Sequence, residues 1–182
     1  MNIISLIFLL STLLIVGCSS LELPQFSQPT PINLENTVQS SFKKVVLESD
    51  FKGKMGQTIY VPIYSHIYYE NSEKSLDLAA TLSIRNTDLT NPMIVTSVRY
   101  YDSAGNLLKA YLEEPVQLER LASIDFVVNR TDRKGGAGAN FIVEWLSTKT
   151  ISEPIVEAVM ISAVGNQSIS FVSRGKLIKN YP

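Results

Sequence analysis

The chain has 182 residues, with 16 basic against 17 acidic side chains, a formal net charge of -1, one cysteine and one histidine. So even a balance, without a long like-sign block, gives no electrostatic footprint for a polyanion, and no nucleic-acid partner is expected. One cysteine excludes an intrachain disulfide, and one histidine excludes the multi-histidine sites usual for zinc, so neither a metal nor another cofactor is expected.

The first feature in chain order is an apolar run from Ile3 to Val16, interrupted only by Ser5, Ser11 and Thr12. It is short of the roughly 20 residues that a permanent transmembrane helix needs, and no charged stop-transfer flank follows it. A secretory signal core over residues 1–17 is the reading, removed by cleavage between Gly17 and Cys18. No Lys or Arg precedes the run, so the terminal amine alone supplies positive charge. The alternative is that Cys18 is a buried thiol in an ordinary membrane helix. Ile15-Val16-Gly17-Cys18 resembles the lipobox of bacterial lipoproteins, position by position. That resemblance implies a diacylglyceryl group on the Cys18 sulfur, an acylated new amino terminus (palmitate-type chains), and a membrane partner through the lipid. Ser19 resembles the non-aspartate residue that lets a lipoprotein of a two-membrane bacterium reach the outer membrane, which implies its periplasmic face.

Residues 18–40 carry Pro24, Pro29 and Pro31 among Ser, Gln, Thr and Asn. This composition buries too little apolar surface to offset its ordering entropy, and a flexible stalk is expected. One folded domain over 41–182 then remains. Val38 to Lys52 fits either an added strand or a short helix.

From Gly56 onward the pattern is alternation. Leu76, Leu78, Ala80, Leu82 and Ile84 fall on one face of a strand, with Asp77, Ala79, Thr81, Ser83 and Arg85 on the other. Turn residues follow at Arg85-Asn86-Thr87-Asp88 and Asn91-Pro92. A second strand sets Ile94, Thr96, Val98 and Tyr100 against Val95, Ser97, Arg99 and Tyr101. Asp102 to Asn106 predicts a hairpin reversal, with Gly105 at positive φ, and Leu107 to Leu112 as the returning strand. Val116 to Leu121 reads as an edge segment, and Ile124/Phe126/Val128 and Phe141/Val143/Trp145 as inward rows. Ile155 to Val164 is apolar almost throughout, as a central strand covered on both faces would be, although a short helix also fits. Ser168 to Ser173 would pair back on it across Gly165-Asn166. Seven to nine short strands predict an all-β fold, an immunoglobulin-like antiparallel β-sandwich in architecture only.

The segments Gly56 to Tyr68, Thr81 to Asp88, Tyr100-Tyr101-Asp102, Gly138 to Trp145 and Glu157 to Ile161 together resemble an uncharacterised bacterial family, domain of unknown function 3124. The resemblance spans roughly Gly56 to Ile178. It implies an exported, often lipid-anchored protein without an assigned activity, and supplies no catalytic or binding residues.

Two stretches are candidate contact surfaces. Read as one strand, Gly56 to Glu70 puts Tyr60, Tyr64, His66 and Tyr68 in a row opposite Ile59, Val61, Ile63 and Ile67. Amphipathic rings suit recognition because they offer large contact area at little entropic cost. The plainer alternatives are tyrosines that merely cover an open sheet face, or a strand broken at Pro62. Arg130 to Asn140 is the second, where Asp132 accompanies Arg130, Arg133 and Lys134, and the amides about Gly135 and Gly136 would cradle an anion before Asn140 opens a strand. Without the Gly-Lys-Ser/Thr of a P-loop it reads equally as a strand connection. No nucleophile elbow or catalytic spacing surrounds His66. A non-enzymatic, lipid-anchored envelope module that binds an envelope protein or small ligand is therefore expected. An enzyme on an envelope polymer is the alternative if His66 meets Glu70, Asp102 or Asp132 in a pocket, and a structural component of an envelope assembly is a third reading.

Overall fold

A computed structural model describes residues 42–47, 53–164 and 167–181, with side chains 164 and 167 left aside. The signal segment, Cys18, the stalk and the Gly165-Asn166 turn lie outside the described residues. All that follows belongs to the compact unit Leu34–Pro182.

The described residues form thirteen strands in order: β1 (Phe42–Lys44), β2 (Met55–Pro62), β3 (His66–Tyr69), β4 (Asn71–Asp77), β5 (Ala79–Arg85), β6 (Met93–Tyr101), β7 (Leu107–Ala110), β8 (Val116–Leu118), β9 (Ser123–Val128), β10 (Asn140–Ser147), β11 (Ile155–Val164), β12 (Gln167–Arg174) and β13 (Lys176–Tyr181). One sheet runs β1-β8-β6-β10-β2-β13, with β7 also on β6, and the other runs β12-β11-β5-β9. Every pairing in the two sheets is antiparallel. The protein is an all-β antiparallel sandwich. β3 and β4 form a separate two-stranded arm.

The core lies between the inner faces. Ile59, Val61, Val98, Tyr100, Phe141, Val143 and Trp145 come from the larger sheet; Ala80, Leu82, Ile84, Ile124, Val156, Ala158 and Met160 come from the smaller. Alternation produced most of this directly, since period-two residues share a face. Four local details differ from the sequence reading. The expected strand from Leu76 to Arg85 is interrupted at Leu78, whose amide leaves the ladder to donate to the Ser65 carbonyl (2.9 Å). In β6 the register against β10 slips, so that Glu144 faces Ser97 but Trp145 faces Val95. That bulge inverts the phase: Met93 and Val95 point inward, then Val98 and Tyr100, whereas Thr96 turns out and donates to the Glu144 carbonyl. β8 is no edge, because β1 covers its far side, which also makes the first described part of Val38 to Lys52 a strand. Finally, β11 is central in its sheet but covered on one face only, since Val156, Ala158 and Met160 are buried while Ile155, Val159 and Ile161 stand exposed.

The turn after β5 does more than reverse the chain. The Asn86 side-chain amide donates to the carbonyls of Asn91, Leu118 and Glu119, tying the β5–β6 turn to the β8–β9 connection. Asp88 Oδ1 accepts from the backbone N–H groups of Thr90 and Asn91, and Oδ2 from that of Ser152. Those backbone donors, Thr90 first, hold the Asp88 carboxyl well below the ordinary carboxylate range. Because the folded-state value is the depressed one, this contribution to stability is complete above the unfolded value near pH 4 and is lost as pH falls through the folded value. Asp88→Asn should therefore flatten the fall of Tm with pH below about 4 relative to the parent chain, as read by calorimetry from pH 7 to 2. An acid limb of unchanged slope would assign that fall to other carboxylates.

Candidate functional site

The aromatic row does not form one continuous strand. Pro62 ends β2, lacking the N–H that would extend the ladder, and pairing resumes only at His66 in the arm. Tyr60 consequently stays on the larger sheet, across from Ile142 and Lys176. Tyr64 packs edge-on against Phe171 of the smaller sheet, with centroids 5.8 Å apart. Only His66 and Tyr68 remain together, in a T-shaped contact at 5.2 Å.

A second tyrosine joins them that alternation hides. The β3–β4 register slips between Tyr68 and Tyr69, and Glu70 adopts φ 69°, so both rings turn to solvent, 56% and 54% exposed. Asn71 Oδ1 accepts from the N–H groups of Glu73 and Lys74 to close the tip, and the Lys74–Glu70 pair (2.7 Å) is too exposed to add more than about 1 kcal/mol.

The glycine-rich loop is what mounts this arm. Arg133 Nη2 donates to Ser75 Oγ (2.8 Å), and its Nε lies 3.2 Å from Asp77 Oδ1. Asp77 is directly across the ladder from His66, whose Nδ1 is buried with no hydrogen-bond partner. At the root of the arm the Ser65 N–H donates to the Gly136 carbonyl (3.0 Å), and Ile63 N–H to that of Ala139 (2.9 Å). From the other side Ser103 donates through both its N–H and its hydroxyl to the Gly135 carbonyl, and accepts from the Gly138 N–H. Three segments distant in sequence thus converge at one end of the sandwich.

In this geometry several of the amides that would cradle an anion are turned inward. The Gly136 amide donates to the Arg133 carbonyl, the Gly138 amide to Ser103, and the Lys134 amide to Asp132 Oδ1. With those donors engaged internally the loop is a clasp, closed by a short 3-10 turn at Gly136–Gly138 that leads into Asn140 and β10. Gly135 is indispensable to it: a Cβ there would fall on the Tyr100 hydroxyl and lie 2.7 Å from Ser65 Oγ. Burial pushes the Tyr100 phenol up, so it stays neutral, and its hydroxyl is hydrogen-bonded to Ser65 Oγ (3.1 Å). The neighbouring reversal is set by Asp102, whose carboxyl is held below its usual range by the Asn106 side chain and backbone, while Gly105 takes φ 84°. Of the loop cations Arg133 is committed to Asp77; Arg130 and Lys134 are exposed and make no ion pair among the described residues.

The arm therefore presents two exposed tyrosines beside an imidazole on a support that Arg133 braces, while Arg130 and Lys134 stand exposed on the clasp loop. Among the described residues no group of three His, Cys, Asp or Glu side chains is placed to hold a metal ion. A groove of about 450 Å³ lies elsewhere, floored by Phe42, Tyr111, Leu112 and Phe126; burial pushes the Tyr111 phenol up to about 12, and it donates to the Val127 carbonyl. Serines 65, 75 and 103, Asp77 and Tyr69 carry the assembly, and only adjacency of Tyr69 to Tyr68 was a usable sequence signal.

No curated protein matches the chain. A solved structure described as "Crystal Structure of Thermotoga maritima 1070" aligns at a TM-score of 0.42 and 10% identity, covering 66% of this chain and 92% of its own; at that score it carries no argument. The model of the family "Protein of unknown function (DUF3124)" matches residues 56–178, from β2 into the first half of β13 and so including the arm and its clasp, and the chain belongs to that family.

Proposed function

We propose that this protein is a non-enzymatic, lipid-anchored module of the bacterial cell envelope that captures an envelope protein or small ligand with its β3–β4 arm. The observation that carries this reading is the pair Tyr68 and Tyr69, more than half exposed on a support that Arg133 braces through Ser75 and Asp77. Preorganised aromatic side chains lose little entropy on binding, and anchors of this kind typically cost 2 kcal/mol or more when truncated. Tyr68→Ala with Tyr69→Ala should weaken capture about 30-fold or more, measured by in-cell crosslinking from the arm and mass spectrometry of the adduct. Capture at parental yield would remove the arm from the proposal.

The enzyme alternative has one supporting observation, the cross-strand pairing of His66 with Asp77. Against it, Asp77 is already paired with Arg133, and the acids that would have raised it, Glu70, Asp102 and Asp132, are occupied by Lys74, by Asn106 and by the Lys134 amide. His66→Gln should leave partner capture intact if the imidazole only supports Tyr68.

A further inference from the structure

The outer face of the smaller sheet is built unlike a solvated one. Across it runs a row contributed by all four strands, Val127, Thr81, Val159 and Val172, each directly opposite the next in the ladders. The three valines are 48%, 38% and 54% exposed, and Ile161 beside them is 47% exposed. One step along the strands the row becomes Asp125, Ser83, Glu157 and Arg174. Its acids lie on β9 and β11 and its base on β12, the opposite edge strand. Although Glu157 is the ladder neighbour of Arg174, no ion pair forms here among the described residues.

We infer that this face is a self-complementary docking surface whose occupant is a second copy of the same chain. A two-fold axis in the plane of contact and parallel to the strands sets β12 of one copy over β9 of the other, and β11 over β5. Under that operation each row meets itself reversed. Val172 faces Val127, Arg174 faces Asp125, and this happens twice. The large outward residues of β11, Val159 and Ile161, fall over the small ones of β5, Thr81 and Ala79, which matches knobs to hollows in an aligned sheet-on-sheet contact about 10 Å deep. An axis perpendicular to the strands would set β12 over β12 and β9 over β9, which keeps Arg174 away from Asp125 of the other copy, so charge selects the first arrangement.

The area sets the strength. Four strands about 4.8 Å apart and about seven residues long at 3.3 Å each give a footprint of roughly 400 Å² per copy, less than a standard stable interface buries. The dimer is accordingly weak and exchanging. It uses a face separate from the arm, so it stands or falls independently of that reading.

The test uses the full chain in bacterial cells, with a photo-crosslinking amino acid at position 172. The expected product has twice the chain's mass, forms between isotopically light and heavy copies, and maps to the β9 segment around Val127. Asp125→Arg or Arg174→Asp alone should lower its yield at least five-fold, and the double reversal should restore it, which also shows that the variants fold. A chain that crosslinks only to its own residues 18–41, only to a different protein, or equally well in all charge variants would overturn the inference.

Discussion

Cys18→Ser should move the protein almost completely from the membrane pellet to the soluble envelope fraction and abolish incorporation of labelled palmitate. The reason is the steepness of lipid partitioning. Each buried methylene contributes about 0.8 kcal/mol, one acyl chain alone binds only marginally, and stable attachment needs two or more. If all the acyl chains are grafted through one residue, losing that sulfur removes every one of them. No helix among the described residues is long and apolar enough to cross a bilayer. Fractionation after carbonate washing reads the outcome, and a variant that still pelleted with membranes would refute the anchor.

The second large effect belongs to the clasp. Gly135 has φ -65° and ψ -30°, a conformation open to any residue, so Gly135→Ala carries no backbone strain and its whole effect is steric. The new methyl collides with the Tyr100 hydroxyl and Ser65 Oγ in a buried site. Overpacking of this kind costs typically 1–3 kcal/mol, and breaking the Ser65–Tyr100 hydrogen bond adds about 1 more. A loss of about 3 kcal/mol, or a fall in Tm of about 6–12 °C, is expected. Tyr100→Phe alone should cost about 1 kcal/mol, yet in the Gly135→Ala background it removes the atom that the methyl strikes. The two losses should therefore combine to at least about 1 kcal/mol less than their sum in a double-mutant cycle, and strict additivity would place the strain elsewhere.

How far the sequence could be read follows the range of the forces involved. Leu78, Ala80, Leu82 and Ile84 were legible as a buried row because strand periodicity is a property of neighbours in the chain. So was the reversal at Asp102 to Asn106, where the side chain caps its own turn. The bulge between Ser97 and Val95 was not legible, since an extra residue in one strand is defined only against its partner β10. Outward Ile155, Val159 and Ile161 were read as buried because apolar composition reports a tendency to bury, not the presence of a second layer. For the site, the two stretches singled out separately, around His66 and around Arg133, do meet. What joins them, Ser65 and Ser103 on the loop backbone, are ordinary serines whose significance arises only when distant segments are adjacent.

Gly175 is the sole residue between β12, hydrogen-bonded in one sheet, and β13, hydrogen-bonded in the other, and a Cβ there would lie 2.6 Å from Ile59 and 2.7 Å from the Val156 carbonyl. The carboxy-terminal stretch is thus a single seam stitched into both layers, and its N–H at Gly175 is itself fastened to Val156 (2.8 Å). Tension on the tail would first unzip β13 from β2, one rung at a time, and then reach that stitch, where further opening has to loosen the two layers together. Mechanical load on this end is therefore resisted by the whole sandwich once the last strand has peeled away.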